Sequence, residues 1–430
     1  MIQYVFVTLI IVMFSIVPSV SASTAEHGAS ASEGEVVLKT LLDGGIITQE
    51  QYDNAVEEIK KKSKEREAWR THVDKHITLM EGAAPRFIDG LSAAAGITMV
   101  GQGTIGNDDN TAPGEDVVDG SISANLEVSA SLDKYGVAFM RAEAGAGEGL
   151  QDDEIISFWG VNDSPGDGES RFEITEAWYE HRFINDMLTF TIGKINLSNY
   201  VDGNMVANDE TDQFLATGFV NSITIEFPDN TIGARLTVSP TELIDLSIGW
   251  QDGTGDFEDI FEDPFIIVEV GIKPSVAGHQ GNYRLYGWIN SSDHTEIKNP
   301  SRTDEGGAGA GISADQQVVD GLVLFARLGF QDDDVYEVAF AWSGGVAVSG
   351  WLWGMDDDVA GIAYGQAYLS DGYKETLISP ADEGHFEAYY KHTINEHITV
   401  TPDIQVISNA LGDGDFNTVL AGGLRVQLIF

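Results

Sequence analysis

The chain has 430 residues, of which 43% are hydrophobic, and it contains 48 Gly, 11 Pro and no Cys. Its length and apolar content exclude general disorder, and the missing Cys excludes disulfides, zinc–thiolate sites and thiol catalysis. The formal net charge of −46 argues against nucleic acid as a partner, because phosphate binding requires basic patches.

The negative charge is concentrated in the later part of the chain. Residues 33–90 contain 9 Lys and Arg against 12 Asp and Glu, whereas residues 91–430 contain 14 against 56. Such a field either favours cations in a pore or keeps long surface loops solvated.

Residues 1–22 have the pattern of a secretory signal peptide. An apolar run covers residues 4–17, and Val20, Ser21 and Ala22 supply the small residues of a cleavage site. The pattern predicts export and cleavage after Ala22.

Residues 33–90 form a predicted helical segment. Apolar residues recur there at helical spacing, and Thr48 with Gln51 three residues later fits a capping box. Residues 41–59 resemble the short two-helix module of the SHOCT type, which implies a homo-oligomer formed through these helices. The alternatives are a periplasmic oligomerisation or tethering helix and a helix packed on or in the following domain.

From about Gly96 the sequence becomes a series of alternating apolar and polar runs separated by Gly, Asp and Asn. In residues 121–132, for example, every second residue from Ile122 to Leu132 is apolar. A soluble sandwich shows the same alternation. We count sixteen to eighteen runs, however, and many have the nine to twelve residues that a tilted strand needs to cross a bilayer. Residues 91–430 are therefore predicted to be all-β, a single transmembrane antiparallel β-barrel of about 16 strands (16–18) in an outer membrane.

Connection lengths and the last run of the chain fit the same architecture. Short turns such as residues 133–136 alternate with long acidic loops such as residues 150–170 and 252–263, as in periplasmic turns and extracellular loops. In residues 418–430, Leu424, Val426 and Leu428 share one face with the final Phe430, which is typical of a strand that closes a barrel.

Residues 193–221 carry the most specific motif, which includes Gly193-Lys194, Asp202 and an Ala-Asn-Asp-Glu-Thr-Asp-Gln-Phe-Leu segment at residues 207–215. This stretch resembles the carbohydrate-selective porin family OprB, and similarity recurs at residues 387–390, 401–405 and 423–425. The resemblance implies a barrel of about sixteen strands with a constriction lined by charged and aromatic residues, through which sugars pass without energy coupling.

A sugar pore requires charged groups for hydroxyls and flat aromatic faces for pyranose rings. The alternation places a set of such residues on the polar, inward face, and the family-like motif adds four more. The inward set is Arg141, Glu143, Trp178, Glu180, Arg182, Arg235, Glu269, Arg284, Trp288, Arg327 and Arg425, and the motif adds Lys194, Asp209, Glu210 and Asp212. The alternative for the arginines is salt bridging that braces the wall, and for the two tryptophans it is an interfacial aromatic girdle.

Three functions follow from these patterns. The first is a channel for passive diffusion of small carbohydrates across the outer membrane of a Gram-negative-type cell. The second is a general or cation-preferring porin for ions and small solutes, and the third is a structural envelope anchor held in the lipid. Catalysis lacks a nucleophile–base motif, no cofactor is predicted, and the acidic triplets at residues 332–334 and 356–358 are expected to be solvated loop tips rather than Ca²⁺ sites.

Overall fold

The computed structural model describes residues 90–430, apart from 107–115, 133–134, 148, 151–154, 164–170, 185 and 304, together with residues 48, 49 and 52. The predicted signal peptide and, apart from those three residues and Gly90, the predicted helical segment lie outside the described residues. Within the described part of the chain, no helix has both the length and the apolar character that crossing a membrane would need.

The part of the chain that the structure describes contains seventeen strands in succession. They are β1 (Leu91–Ile105), β2 (Val118–Ser131), β3 (Gly136–Ala146), β4 (Arg171–Phe183), β5 (Leu188–Ile195), β6 (Thr231–Thr241), β7 (Ile244–Asp252), β8 (Pro264–Ile272), β9 (Ser275–Val276), β10 (His279–His294), β11 (Glu305–Val319), β12 (Leu322–Gln331), β13 (Val338–Ser349), β14 (Val359–Leu369), β15 (Glu383–Asn395), β16 (Ile398–Ser408) and β17 (Val419–Ile429). Two short helices, α1 (Thr217–Val220) and α2 (Asp371–Lys374), lie between strands.

The strands form one closed antiparallel sheet. Each long strand pairs with its sequence neighbours, and β1 pairs with both β2 and β17, from Gly96 opposite Ile429 to Ile105 opposite Leu420. Strand β9 has two residues and pairs only with β10, while β8 pairs directly with β10, so sixteen long strands make the wall. Closure removes the unpaired edges of an open sheet. The predicted all-β barrel of about 16 strands is confirmed.

Side chains alternate between the inside and the outside of the barrel, as the period of two requires. On β17, Leu420 and Leu424 are 40% and 47% exposed on the outer surface, whereas Arg425 and Gln427 are 1% and 5% exposed on the inside. The same division places Leu324, Leu328 and Phe330 of β12 outside and Arg327 inside. The barrel therefore has an apolar outer surface and a polar lumen.

The two ends of the barrel differ in their connections. At one end, tight turns join neighbouring strands, for example residues 242–243 between β6 and β7 and residues 320–321 between β11 and β12. At the other end lie long loops, of which residues 149–150 and 155–163 (here called the β3–β4 loop) and residues 196–230 (the β5–β6 loop) fold into the lumen. The apolar clusters of buried residues lie where these loops meet the inner wall.

Candidate functional site

The β5–β6 loop turns inward immediately after β5. The Asn196 side chain accepts hydrogen bonds from the backbone N–H of Ser198 at 3.0 Å and from its hydroxyl at 2.7 Å, which starts a short 3-10 turn. Asp202 then adopts φ of 57°, a left-handed conformation that Asp tolerates better than most residues. The chain is thereby directed across the lumen, where most of the loop is buried.

Asp202 joins the two halves of this loop to the wall. Its carboxylate lies 3.0 Å from Nε of Arg327 on β12 and accepts a 2.8 Å hydrogen bond from the backbone N–H of Ser222. The Asp202 N–H donates to Glu269 of β8 at 2.8 Å. Because Ser222 lies twenty residues further along the loop, this one carboxylate closes the loop on itself.

Two inward arginines of the predicted set hold loop backbone. Arg327 donates to the carbonyl oxygens of Phe219 at 2.7 Å and Val220 at 3.2 Å. Arg284 of β10 donates to the carbonyl oxygen of Gly203 at 2.6 Å. Both guanidinium groups are almost completely buried, with residue exposures of 3% and 5%. Arg284 also lies 3.7 Å from Glu269 of β8 and 3.6 Å from Asp315 of β11, so it joins the loop to the wall as an anchoring group does.

The tip of the loop, residues 209–213, is held from the opposite side of the lumen. Arg425 of β17 donates to the carbonyl oxygens of Glu210 at 2.6 Å and Gln213 at 2.9 Å. Lys391 of β15 pairs with Asp212 at 2.8 Å. The tip is therefore fixed to β15 and β17 although the loop begins and ends at β5 and β6.

Apolar contacts and one carboxylate complete this anchoring. Trp288 of β10 is fully buried and donates its indole N–H to the carbonyl oxygen of Thr224 at 3.0 Å. On β15, Glu387 accepts hydrogen bonds from the backbone N–H groups of Leu215 at 2.6 Å and Ala216 at 3.0 Å. Burying an aromatic side chain of this size contributes about 2 to 3 kcal/mol, so the loop is a packed part of the structure.

Glu226 ties the end of the loop to β10 and to the connection between β12 and β13. Its carboxylate accepts hydrogen bonds from the Asn290 amide at 2.8 Å and the Tyr336 hydroxyl at 2.5 Å, and His294 lies 2.9 Å away. Burial and the adjacent Glu226 carboxylate raise the pKa of Tyr336 above its ordinary value, so the hydroxyl stays a donor at neutral pH.

Near the loop tip, inward side chains of β2, β3 and β4 form what we call the arginine-centred cluster: Arg141, Glu127, Glu143 and Glu176. Nε of Arg141 donates to Glu127 at 3.0 Å, and a terminal nitrogen of its guanidinium lies 3.8 Å from Glu143 and 3.6 Å from Glu176. Asp209 and Glu210 of the loop tip act electrostatically on Glu127 and Glu143, respectively. Three carboxylates therefore share one guanidinium, and two further carboxylates of the loop tip lie near them.

Next to this cluster lies an aromatic face edged by ion pairs. The rings of Trp178 on β4 and Phe139 on β3 stack with centroids 4.7 Å apart, and the Trp178 indole donates to Glu176 at 3.2 Å. On the same wall, Lys194 pairs with Glu173 at 2.7 Å and Arg182 with Glu180 at 3.1 Å. The wall thus offers a flat apolar surface beside hydrogen-bonding charges.

The predicted site residues fall into two groups. Those half-buried on the lumenal wall or the loop tip are Arg141, Glu143, Trp178, Arg182, Lys194, Asp209, Glu210 and Asp212. Those with less than a tenth of their surface exposed are Glu180, Arg235, Glu269, Arg284, Trp288, Arg327 and Arg425. Of the second group, Arg235 pairs with Glu180 at 3.0 Å and stacks over the Tyr200 ring at 4.0 Å.

Several residues of the constriction are absent from the predicted set. Glu127, Glu173 and Glu176 point inward, and Asp202, Glu387 and Lys391 hold the loop. Their inward positions follow from the same alternation that identified Arg141, because residues 127, 173 and 387 occupy polar positions of their strands. A β-bulge between residues 174 and 176 of β4 shifts the alternation there, which the sequence pattern does not reveal.

Among the residues that the structure describes, no three His, Asp or Glu side chains group closely enough to hold a metal ion. In the acidic triplet at residues 356–358, Asp358 is buried, and it accepts hydrogen bonds from the Tyr390 hydroxyl at 2.5 Å and the Thr393 N–H at 2.9 Å, with His392 at 3.0 Å. Burial favours the neutral acid, but these hydrogen bonds outweigh it and lower the pKa of Asp358 to about 2.

Comparison with known proteins places these features in context. The model of a family described as "Carbohydrate-selective porin, OprB family" matches residues 109–430. Among solved structures, the high pH structure of Pseudomonas putida OprB superposes with a TM-score of 0.69 at 18% identity and covers 79% of this chain and 94% of that one. The outer membrane channel DcaP of Acinetobacter baumannii gives a TM-score of 0.51 at 12% identity, covering 81% of this chain and 100% of that one.

Two curated proteins are similar in sequence. An uncharacterized protein of Aquifex aeolicus (strain VF5) is 24% identical over 217 residues, which cover 50% of this chain and 58% of that protein. Porin AaxA of Chlamydia muridarum (strain MoPn / Nigg) is 28% identical over 92 residues, which cover 21% of this chain and 19% of that protein. The matched part of this chain thus spans less than two thirds of the length of either relative.

Proposed function

Since the chain belongs to the OprB family of carbohydrate-selective porins, we propose that this outer-membrane β-barrel porin lets small carbohydrates diffuse passively through its lumen. The family match covers 322 residues, from 109 to 430, and therefore most of the barrel. No energy-coupling or catalytic step enters this proposal.

The observation that carries the proposal is the stacked Trp178–Phe139 pair on the lumenal wall, beside the anchored loop. A pyranose ring has a face of C–H groups that packs against an aromatic ring, and its hydroxyls need donors and acceptors at the edge of that ring. The Lys194–Glu173 and Arg182–Glu180 pairs supply both kinds of group beside Trp178.

The anchoring of the loop supports the same function. A channel selects among solutes only if its narrow part keeps a defined width, and a loop held by Asp202, Arg327, Arg284 and Arg425 keeps its place. The buried arginines act as braces of the constriction in this proposal, while the half-buried residues of β2–β5 and the loop tip meet the solute.

Single-channel conductance of the purified protein in a planar bilayer tests the proposal. Graded addition of a monosaccharide or disaccharide to one side is expected to block the ion current in a saturable manner. Trp342 of β13 faces outward, so Trp342→Ala serves as a control that removes an indole without touching the lumen. Discrete openings that no sugar blocks would refute carbohydrate passage, although they would still show that the protein forms a channel.

The arginine-centred cluster favours a second candidate, a cation-preferring porin for ions and small solutes. The cluster contains three carboxyl groups and one guanidinium, and a lumen with an excess of negative charge concentrates cations. The reversal potential in a salt gradient measures this preference. A value that reports cation selectivity together with indifference to sugar would favour this candidate over the first.

A further inference from the structure

The β3–β4 loop also occupies the lumen, although the sequence contains no motif that marks it. Leu150, Ile155 and Val161 are at most 2% exposed and pack against inward residues of the wall, among them Ile407 of β16 and Val419 of β17. This loop therefore lies against the closing strands of the barrel.

Polar side chains of three wall strands hold the loop. Gln102 of β1 and Gln405 of β16 both donate to the carbonyl oxygen of Val161, at 3.1 Å and 2.9 Å. Asn162 donates to the Ser121 hydroxyl of β2 at 3.0 Å. The loop therefore spans the β17–β1 pairing that closes the barrel, with hydrogen bonds to β16 on one side and to β1 and β2 on the other.

A single carboxylate on β15 fixes the middle of the loop. Glu383 is fully buried and accepts hydrogen bonds from the Ser157 hydroxyl at 2.6 Å and from the backbone N–H groups of Phe158 at 3.2 Å and Trp159 at 3.4 Å. Its second oxygen also accepts a 2.6 Å hydrogen bond from the N–H of Leu411 in the β16–β17 loop. Glu383 thereby orients Trp159.

Trp159 fills the space between the β5–β6 loop and the wall. Its indole is 1% exposed and packs between Gly218 of that loop and Gly365 of β14, and a Cβ atom at either glycine would collide with the indole ring. The ring also lies 5.2 Å from that of Phe219. Only glycine at both positions leaves room for the indole in this arrangement.

The two loops are bonded to each other as well. The Gly218 N–H donates to the carbonyl oxygen of Trp159 at 2.8 Å, and the Asp163 N–H donates to that of Leu215 at 2.8 Å. The Thr217 hydroxyl donates to the Asp163 carboxylate at 3.1 Å. The contacts run along residues 215–218, directly after the loop tip.

We infer that the β3–β4 loop is a strut that holds the β5–β6 loop at its distance from the wall and so sets the width of the passage. Trp159 is the positioning residue, and the hydrogen bonds that Glu383 accepts from residues 157–159 hold it in place. Neither side chain touches the solute. The inference rests on the proposed channel function, but it does not depend on whether the solute is a sugar or a cation.

Polymer exclusion measures the passage width directly. Single-channel conductance is recorded for Trp159→Ala in the presence of neutral polyethylene glycols of graded size, with wild type and Trp342→Ala as references. We expect Trp159→Ala to raise the conductance and shift the polymer cut-off to larger sizes, while Trp342→Ala leaves both at the wild-type value. Folded Trp159→Ala with the wild-type conductance and cut-off would overturn the inference.

A pair of variants separates positioning from a general loss of stability. Gly365→Ala introduces a methyl group against the Trp159 indole and is expected to displace the strut and alter the cut-off. Adding Trp159→Phe, which has a smaller ring, is expected to restore the wild-type cut-off. If the double variant is no closer to wild type than Gly365→Ala alone, size complementarity at this contact does not set the width.

The outcomes distinguish this inference from the proposed function. Absence of any conductance in the folded wild-type protein would refute the channel itself. Normal wild-type conductance together with an unchanged cut-off in Trp159→Ala would refute only the strut. Folding of each variant is checked by the change in its electrophoretic mobility on heating, which folded barrels show.

Discussion

Asp202 and Arg327 form an ion pair of 3.0 Å inside the barrel, between the β5–β6 loop and β12, with side chains that are at most 2% exposed. Bringing two charges out of water is costly, and the cost is recovered here by additional hydrogen bonds to loop carbonyls and to the Ser222 N–H. The pair is therefore sensitive to the loss of either partner, because the remaining charge would be buried alone.

Arg327→Ala is expected to destabilise the barrel by about 3 to 5 kcal/mol, since it leaves the Asp202 carboxylate buried without its partner. The free energy of unfolding, measured by urea titration in lipid vesicles, tests this. Arg182→Ala is the matched control, because Arg182 is 40% exposed and its pair with Glu180 should contribute about 0 to 1 kcal/mol. Equal effects of the two variants would contradict the anchoring role of Arg327.

Trp178→Ala is expected to weaken sugar block of the current about five-fold, since loss of one aromatic contact costs about 1 kcal/mol. The concentration of sugar that halves the current is the quantity to measure. Trp178→Phe keeps a flat ring and should lose less affinity. If Trp178→Ala and wild type are blocked equally, the solute does not pack on this face.

Neutralising members of the arginine-centred cluster should move ion selectivity in opposite directions. Glu143→Gln removes a negative charge and is expected to lower the preference for cations, whereas Arg141→Gln removes the shared positive charge and is expected to raise it. Reversal potentials in a salt gradient report both changes. Glu242→Gln, on the exposed β6–β7 turn, controls for the change in net charge. An equal shift of the reversal potential in that variant would contradict a role of the cluster in ion selectivity.

Asp358 makes the stability of the β13–β14 connection depend on pH. Its folded pKa of about 2 lies below its ordinary value of 3.8, so its contribution is fully present above about pH 4 and is lost as pH falls toward 2. Asp358→Asn should accordingly be less stable than wild type at neutral pH and approach it at pH 2. Urea titrations at both values test this, and a difference that persists unchanged at pH 2 would contradict it.

A disulfide between the two inner loops should restrict their relative motion. The chain contains no Cys, so Asp163→Cys with Thr217→Cys introduces a single pair at two side chains whose oxygens lie 3.1 Å apart. We expect current fluctuations of the open channel to decrease when the pair is oxidised and to return on reduction. Each single Cys variant is a control. If the current fluctuations of a single variant also change on oxidation and reduction, the disulfide is not their cause.

Alternation predicted the orientation of most wall side chains, and together with the number and length of the runs it predicted the barrel. Once Leu424 and Phe430 are assigned to the outer surface, a period of two places Arg425 inside, and the same reasoning places Arg235 and Arg327 inside. The strand number followed from counting such runs. The bulge near Thr175 is where this reasoning fails locally, since an extra residue reverses the faces.

Which inward side chains meet the solute could not be predicted in this way. Arg327 bonds to Phe219 across 108 positions of the chain, Arg425 to Gln213 across 212, and Gln405 to Val161 across 244. No local pattern encodes such pairings, because they depend on how the two loops pack inside the barrel. The sequence by itself determined a closed barrel with a polar lumen. Only the tertiary structure decided that several of the predicted lumenal groups, among them Arg284, Trp288 and Arg327, are buried against the β5–β6 loop. All inward positions of the strands look alike in the sequence, because the side chains there differ only in which part of the fold packs over them.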